Sequence, residues 1–455
     1  MKLLIVGGSD AGISAAMRAM ELDPEGKITV MLADSYPNYS ICGLPFYLSD
    51  ETPDWRSLAH RTEFGGIELL TNHTAEQIDT ARHEVTGRTA TGEEKTLCYD
   101  RLLLATGAEP QRPRIEGIDL PGVFPLHTVK DSLRVQEYLS NHHPLHAVII
   151  GAGYIGLEMA DSLTHRGLKV TLAGRSQTVL PTVDGQLGKL VEDELRRYGV
   201  VVADDVEVDT IKTRGSSLTV RGTGSFEVTA EVVLVAAGVK PASELARGAG
   251  IALGVRDAIK VSRRMETSAP DVYAAGDCVE TWHRLLCRNT YLPLGTTAHK
   301  QGRVAGENIV GGSREFQGTL GTQVVKVFDL AIARTGLRDA EARDAGFDPA
   351  TVGSTFPDHK AYYPGAHELH LRVTGDRTTK RLLGAQILGH WQAEVAKRVD
   401  VFSAAIFHEM NVEDLSDLDL SYTPPVSSPW DPVQMATQAW SLSGASKRES
   451  DVERG

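Results

Sequence analysis

The 455-residue sequence predicts an α/β fold made of two Rossmann-like units and a C-terminal α+β domain. Two segments, beginning near Lys2 and Ala147, carry the first part of this prediction. Each runs from a short apolar strand through a glycine-rich turn into a helix of small and apolar residues. From about residue 319 the pattern changes to alternating strands joined by short turns, which indicates a separate domain.

The two turns follow the fingerprint of a dinucleotide-binding unit. Gly151, Gly153 and Gly156 fill all three glycine positions of the second turn, whereas Gly7 and Gly12 flank Ser9 in the first. A serine side chain at the middle position leaves less room between the backbone and a bound pyrophosphate, but it does not prevent binding. Because both copies follow an apolar strand and open a helix, the sequence predicts two dinucleotide sites.

Further strands complete the predicted sheets. RLLLATGA at 101 to 108, EVVLVAAGV at 231 to 239 and DVYAAGD at 271 to 277 each reach a glycine after small residues, where a ligand crosses the strand ends. In the third domain, TQVVKVFDLAIARTG and ELHLRVTGDRTTKRLLGAQILG predict antiparallel strands, with a turn at Thr374, Gly375 and Asp376. A helix is predicted through AEVAKRVDVFSAAIFHEM, and the polar residues 446–455 are predicted to be disordered.

Composition excludes several classes of function. The chain has 60 acidic and 47 basic residues and a net charge of −13, which disfavours nucleic acid as a partner. No apolar run reaches the ~18 residues of a membrane span, and the sequence predicts a cytoplasmic protein without a membrane partner. The four cysteines, Cys42, Cys98, Cys278 and Cys287, have neither metal-ligand nor dithiol spacing, so no metal site is expected.

The chain resembles the pyridine nucleotide-disulfide oxidoreductase superfamily through GGSDAG, ATGAEP, GAGYIGLE, YAAGDC and TTAHKQGRVAGENI. It looks most like the single-cysteine branch, which includes coenzyme A disulfide reductase, NADH oxidase and peroxidase, through SICGLPFY, GTLGTQVVKVFDLAIARTGL and SYTPPVSSPWDPVQMA. The resemblance implies a homodimer with an FAD domain at 1–112 and 244–318, an NAD(P)H domain at 113–243 and a dimerisation domain at 319–445.

Cofactor contacts are implied by matching positions. For FAD these are Gly7, Ser9, Ala11, Gly12, Thr106, Gly107, Gly276, Asp277, Thr297 and Ala298, with Asp34 on the adenosine ribose. For the nicotinamide nucleotide they are Gly151, Gly153, Tyr154, Ile155, Gly156, Glu158, Arg175 and Gly238, with Tyr154 as a gate over the flavin. Since Gly174 and Arg175 replace the carboxylate of NADH-specific enzymes, the sequence favours NADPH, with NADH also possible.

Cys42 is the predicted reactive thiol. Pro45 suits the first turn of a helix, so Cys42 is predicted near a helix N-terminus, where the helix dipole would lower its pKa. The other three cysteines are expected to be inert core residues. Since GLPFYLSD contains no second cysteine, the redox partner of Cys42 must be a bound thiol in a mixed disulfide or an oxygen in a sulfenic acid.

These features predict an FAD-dependent, NADPH-preferring reductase of a low-molecular-weight disulfide such as coenzyme A disulfide. The resemblance implies that Tyr422 and a second tyrosine, Tyr363 or its neighbour Tyr362, act with Cys42 as proton donors, and we select Tyr363. Asp10 occupies the place of the histidine found in peroxidases and oxidases, which counts against a peroxidase. The alternatives are an NAD(P)H oxidase, a persulfide or polysulfide reductase, and a flavoprotein redox sensor without catalysis.

Overall fold

The first unit of the computed structural model, which describes residues 1–61 and 63–443, is a five-stranded parallel sheet. Across the sheet the strands are Val272–Ala274, Arg101–Leu104, Lys2–Val6, Lys27–Met31 and Ile67–Leu70. Helices Asp10–Leu22 and Gly295–Ile309 pack closely against each other, because Gly302 and Gly306 leave room for the backbone of the first helix. The predicted disordered tail, 446–455, lies outside the described residues.

The second unit repeats this plan. Its parallel sheet has the order Val201–Ala203, Lys169–Ala173, His146–Ile150, Val232–Val235 and Val123–Pro125. Its helices are Val129–His142, Tyr154–His165 and Gly185–Arg197. In both units a helix follows the central strand through a glycine turn, as the two fingerprints predict.

Smaller elements connect and extend the two units. A short antiparallel pair, Ala108–Pro110 with Val239–Pro241, joins them. Three-stranded antiparallel sheets extend each unit, with strands His73–Asp79, Glu84–Thr89 and Glu94–Cys98 in the first and Val208–Arg214, Ser217–Gly222 and Glu227–Ala230 in the second. The remaining elements are the hairpin Thr281–His283 with Arg288–Thr290, the short helices Leu44–Leu48 and Glu244–Gly248, and the 3₁₀ turns Ile41–Gly43, Trp55–Leu58 and Val255–Asp257.

The third domain is a five-stranded antiparallel sheet covered by helices, as predicted. The strand order is Gln323–Val327, Leu330–Gly336, Leu382–His390, Glu368–Asp376 and Pro349–Pro357. The helices are Asp339–Asp344, Val395–Phe407, Val412–Ser416 and Pro432–Leu442. Phe402 and Trp440 are fully buried in its core. Within the described part of the chain, none of the helices has the length and apolar character needed to cross a bilayer.

The turn predicted at Thr374, Gly375 and Asp376 is wrong. These residues belong to strand Glu368–Asp376, with a register irregularity between Thr374 and Gly375, and the turn follows them. Gly375 is required by packing, since a side chain there would overlap the indole of Trp440. A glycine that makes room for a distant tryptophan looks like a turn residue in the sequence.

Candidate functional site

Cys42 lies in the 3₁₀ turn Ile41–Gly43, which continues directly into the helix Leu44–Leu48 with Pro45 in its first turn. This segment is held against helix Tyr154–His165 of the second unit. Ser162 Oγ donates a hydrogen bond to the carbonyl of Pro45 (2.8 Å). The second dinucleotide unit therefore fixes the position of the reactive segment of the first.

The electrostatic setting of Cys42 differs from the prediction. Cys42 is exposed to solvent as a residue, but the protein atoms around its sulfur exclude water, and this desolvation raises the pKa of the thiol. The nearby carboxylates of Glu158, Asp10 and Asp277 also raise this pKa. The lowered pKa expected from the helix dipole is therefore wrong for the polypeptide alone. The helical segment is only two short turns, whereas the three carboxylates act together.

Glu158 is the largest of these charged influences on Cys42. Burial raises the pKa of Glu158 to about 7, with a further contribution from Asp161. Asp161 is itself paired with Lys326 Nζ (3.2 Å) and accepts a hydrogen bond from the amide of Phe328 (2.9 Å). Lys326 thus forms its ion pair with Asp161, and Glu158 has no ion-pair partner among the described residues.

Removing the charge of Glu158 is expected to make Cys42 more reactive. In Glu158→Gln the pKa of the thiol falls, because a carboxylate that is ionised above pH 7 no longer opposes the thiolate. We expect iodoacetamide to alkylate Cys42 roughly threefold faster at pH 8, with a pH profile displaced to lower pH. The exposed Asp193, changed to asparagine, is the matched control and should leave the profile in place. A profile displaced to higher pH in Glu158→Gln would contradict this assignment.

The first glycine turn has the shape of a pyrophosphate cradle. Gly7 has φ +116°, and side chains at Gly7 and Gly12 would overlap the carbonyl oxygens of Ala105 and Gly7 respectively. Ser9 is the N-cap residue of helix Asp10–Leu22, yet its hydroxyl caps no amide. The first amides of this helix therefore remain available to an anion, and the residues present fit FAD.

Other predicted FAD residues gather around the same strand ends. Gly276 has φ +89°, and a side chain there would come within 2.8 Å of Ala11. The pKa of Asp277 is raised to about 6, mainly by burial and in part by the charge of Asp10, while a hydrogen bond from the backbone of Leu294 acts in the opposite direction. Thr297 and Ala298 are buried in the first turn of helix Gly295–Ile309.

Thr106, Gly107 and Asp34 lie at the edges of this cradle. Thr106 Oγ1 donates to the carbonyl of Ala242 (2.6 Å), and Gly107 has φ +73° with open space on its side-chain face. Asp34 is half-buried, accepts a hydrogen bond from the amide of Tyr36 (2.9 Å), and has a pKa raised by burial. Leu32, at the end of the second strand, is buried against Gly8, so the nearest carboxylate to this strand end is Asp34.

The second glycine turn has the same form. Gly151 has φ +118°, and a side chain at Gly156 would overlap its carbonyl oxygen. Gly153 faces open space and begins helix Tyr154–His165 without a side-chain cap, so the amides of Tyr154 and Ile155 point to an open anion site. Gly238 also faces open space, with φ +92°.

Arg175 and Tyr154 lie on either side of this turn. Arg175 follows strand Lys169–Ala173, is exposed, and has no ion pair within the described residues. Tyr154 Oη accepts a hydrogen bond from Thr182 Oγ1 (3.1 Å), and burial raises the pKa of Tyr154. The carbonyl of Thr182 in turn accepts from Arg334 (2.6 Å) of the third domain.

The structure brings Tyr422 together with Tyr362, whereas the sequence selected Tyr363. The hydroxyls of Tyr362 and Tyr422 lie near each other, and the neighbouring Tyr422 contributes, after burial, to raising the pKa of Tyr362. The two residues are 73% and 43% exposed. Tyr363 instead packs its ring edge-on against His359, with centroids 5.9 Å apart. The two tyrosines of AYYPGA point in different directions, which adjacency in sequence cannot reveal.

His299 is a site residue that the sequence reasoning missed. Its Nε2 lies 3.3 Å from Asp10 Oδ1, and its Nδ1 is 2.8 Å from Ser14 Oγ. His60 approaches its ring, with centroids 6.2 Å apart. A histidine of helix Gly295–Ile309 thus lies beside Asp10. The sequence signal was the histidine within TTAHKQGR.

The expectation that the other cysteines are core residues holds only for Cys278, which is buried. Cys98 is exposed because it ends an antiparallel strand whose alternate residues face solvent. Cys287 is exposed in the turn between Thr281–His283 and Arg288–Thr290.

Comparisons with known proteins agree with this architecture. Residues 1–302 match the model of the pyridine nucleotide-disulphide oxidoreductase family, and residues 322–432 match its dimerisation domain. The chain is 36% identical over 445 residues to the NAD(P)H sulfur oxidoreductase (CoA-dependent) of Pyrococcus furiosus, covering 95% of this chain and 97% of the relative.

Two solved structures superpose with TM-scores of 0.93. One is an NAD-dependent persulfide reductase from A. fulgidus, 37% identical, covering 98% of this chain and 83% of that one. The other is reduced Bacillus anthracis CoADR-RHD, 34% identical, covering 97% and 80%. The family uses FAD and NAD(P)H, and the dimerisation domain indicates a homodimer. With two glycine-turn units and a C-terminal dimerisation domain, this chain belongs to the pyridine nucleotide-disulphide oxidoreductase family as an FAD-dependent oxidoreductase.

Proposed function

We propose that this protein reduces coenzyme A disulfide, or a closely related low-molecular-weight disulfide, with NADPH as the preferred donor. The observation that carries the proposal is Cys42, an exposed thiol beside the dinucleotide turns with no second cysteine in its segment. An electron pair delivered to a lone cysteine must leave on a sulfur that comes from outside the chain.

FAD, when bound, accepts a hydride from NADPH and supplies the electron pair for disulfide reduction. The uncapped turn at Gly7, Ser9 and Gly12 would hold its pyrophosphate, and Asp34 would hold its adenosine ribose. Asp277 would contact its ribityl chain and pyrophosphate. Gly153 and its helix would hold the nicotinamide nucleotide, with Tyr154 covering the flavin until the nucleotide arrives. The domain bounds 1–112 with 244–318, 113–243 and 319–445 are part of the proposal.

At Cys42 the thiolate attacks one sulfur of the disulfide, forms a mixed disulfide and releases the first thiolate. Two electrons then cleave the mixed disulfide, which regenerates the Cys42 thiolate and releases the second thiolate. Each released thiolate takes one proton to become a thiol. Tyr422 and Tyr362, brought by the second subunit of the homodimer, donate hydrogen bonds to the departing sulfur and lower the free energy of its release.

The helix faces next to Cys42 support a substrate with phosphate groups. Ser14 and Arg18 lie one turn apart on the first helix, and His299 and Arg303 are spaced alike on the helix packed against it. Along the two helices, Arg18 and Arg303 lie one turn further from Asp10 than Ser14 and His299. Arg18 contacts Glu307 at 2.7 Å and Glu21 at 3.0 Å, and Arg303 contacts Glu21 at 3.6 Å. A phosphate would therefore compete with two carboxylates for these cations.

The test compares oxidants under one set of conditions. Purified protein with FAD should oxidise NADPH rapidly with coenzyme A disulfide, and at least about tenfold more slowly with oxygen alone or with oxidised glutathione, which lacks the phosphates. Turnover with every oxidant far below the ~1 per second of ordinary enzymes would instead indicate a redox sensor.

A second candidate is a persulfide or polysulfide reductase. It is favoured by the sulfur and persulfide reductases among the similar proteins, which share the fold over nearly the whole chain. In that reaction the Cys42 thiolate would attack the outer sulfur of a coenzyme A persulfide, break its S–S bond and release the coenzyme A thiolate. Two electrons from NADPH would then reduce the resulting Cys42 persulfide to the Cys42 thiolate and hydrogen sulfide. Faster NADPH oxidation with the persulfide than with the disulfide would assign this activity.

Full turnover with oxygen as the only oxidant would instead indicate an NAD(P)H oxidase. A reducing, cytoplasmic location suits either the disulfide or the persulfide reaction, since both regenerate free thiols.

A further inference from the structure

Tyr362 and Tyr422 lie on separate loops of the third domain. Tyr362 belongs to the loop 358–367, which joins strands Pro349–Pro357 and Glu368–Asp376. Tyr422 precedes the segment 423–431 that leads into helix Pro432–Leu442. Both side chains are exposed, and no ring contact joins them within the described residues, so their own packing does not fix their arrangement.

The base of the Tyr362 loop is closed by Asp358, which is 6% exposed. Its amide donates to the carbonyl of His367 (2.9 Å), and its Oδ1 accepts from the amides of His359 and His367, both at 2.9 Å. One side chain thus ties the first and last residues of the loop together.

The Tyr422 segment is anchored at Asp431. Its Oδ2 accepts a hydrogen bond from Ser427 Oγ (2.7 Å), and its Oδ1 accepts from the amide of Val433 at the start of the last helix. Asp431 is 8% exposed, so its charge requires a buried cation.

Arg398 supplies that cation and connects the two loops. It is 5% exposed on helix Val395–Phe407, and its Nη2 donates to the carbonyl of Asp358 (2.7 Å) and to that of Val426 (3.3 Å). Nε and Nη2 also contact Asp431 Oδ2, at 3.4 and 3.3 Å, and Nη1 donates to the carbonyl of Ala393. A single guanidinium therefore spans the base of one tyrosine loop and the carbonyl four residues after the other tyrosine.

We infer that Arg398 is a positioning residue that holds Tyr362 and Tyr422 in the one arrangement in which their hydroxyls lie near each other. The inference rests on the proposed role of these tyrosines at the mixed disulfide. Lysine keeps the charge but has three donors on one atom, and it cannot reproduce a planar fork that reaches several carbonyls at once. Arg398→Lys should therefore preserve the domain while releasing the tyrosines from each other.

The test is a double-mutant cycle. In otherwise unchanged protein we expect Tyr422→Phe to lower kcat with coenzyme A disulfide about tenfold or more. In the Arg398→Lys background the same change should alter kcat less than about twofold, because Tyr422 is already misplaced. Reduction of the flavin by NADPH alone should remain within about twofold in every variant. Equal effects of Tyr422→Phe in both backgrounds would overturn the inference.

Arg377→Lys is the matched control. Arg377 lies at the opposite end of strand Pro349–Pro357, where it contacts Asp348 Oδ1 (3.1 Å) and the carbonyl of Pro349 (2.8 Å). Tyr422→Phe should keep its full effect in this background, which separates positioning from a general weakening of the domain. If Arg398→Lys does not fold, Ser427→Ala replaces it, since it removes one tie between the Tyr422 segment and Asp431 while leaving the buried ion pair.

A second readout does not depend on turnover. With 3-fluorotyrosine incorporated, Tyr422→Phe should shift the fluorine resonance of Tyr362 in otherwise unchanged protein and leave it unshifted in the Arg398→Lys background. Loss of this coupling without any effect of Tyr422 on kcat would support Arg398 as a positioning residue while removing the proposed catalytic role of the tyrosines. A coupling that survives Arg398→Lys would overturn the positioning role even if the protein reduces coenzyme A disulfide.

Discussion

Replacing Cys42 by serine is expected to lower NADPH-dependent turnover of coenzyme A disulfide by about a thousandfold or more. A serine hydroxyl neither attacks a disulfide nor stores the electron pair as a thiolate, and the segment offers no second sulfur. Reduction of FAD by NADPH in a stopped-flow experiment should stay within about threefold of the unchanged protein, because the nucleotide turns do not involve Cys42. The protein would thus stop after the first half of the reaction.

Cys287→Ser and Cys98→Ser are the matched controls for this prediction. Both cysteines are exposed, like Cys42, but lie on other parts of the first unit and near neither glycine turn. Each variant should retain the turnover of the unchanged protein. Undiminished turnover in Cys42→Ser would show that the thiol chemistry takes place elsewhere, and the proposed mechanism would then be wrong.

The features that the sequence predicted correctly are those set by local backbone geometry. Gly7 and Gly151 have positive φ, and side chains at Gly12 and Gly156 would overlap a carbonyl oxygen in their own turn. Such requirements act within a few residues, so a single sequence displays them. The order strand, glycine turn, helix was therefore predictable, together with the parallel sheets that follow from it.

The electrostatics of the site were not predictable, because they depend on residues from distant segments. The thiol of Cys42 is influenced by Asp10, Glu158 and Asp277, and each of them reaches the site from a different strand end. The helix-dipole argument considered only the segment around Cys42. It missed three charges that act in the opposite direction.

The proximity of Tyr422 to Tyr362, and not to Tyr363, was not predictable for a similar reason. Which of two adjacent side chains faces Tyr422 depends on how the loop 358–367 is closed, and Asp358 and Arg398 control that closure. Gly375 was assigned to a turn because the sequence does not show that Trp440 packs against it. In each case a contact between residues far apart in the chain decided a local conformation.

Gly174 explains why the acidic residue of an NADH-specific enzyme is absent here. A side chain at Gly174 would come within 2.8 Å of the Ala152 side chain, in the middle of the second glycine turn. A carboxylate at this position would therefore displace the turn that is proposed to hold the pyrophosphate. We therefore propose that Arg175 selects the nucleotide, since it is exposed and has no ion pair among the described residues.

Arg175→Gln is accordingly expected to lower kcat/KM for NADPH by about tenfold to a hundredfold and to change kcat/KM for NADH less than about twofold. The guanidinium would contact only the 2′-phosphate, which NADH lacks. Arg175→Lys should give an intermediate loss, since lysine keeps the charge without the bidentate fork. Arg214→Gln, at an exposed arginine in the antiparallel extension of the same unit, should leave both coenzymes unaffected. If Arg175→Gln lowered kcat/KM equally for NADPH and NADH, this side chain would support the structure of the nucleotide-binding unit and would not recognise the 2′-phosphate.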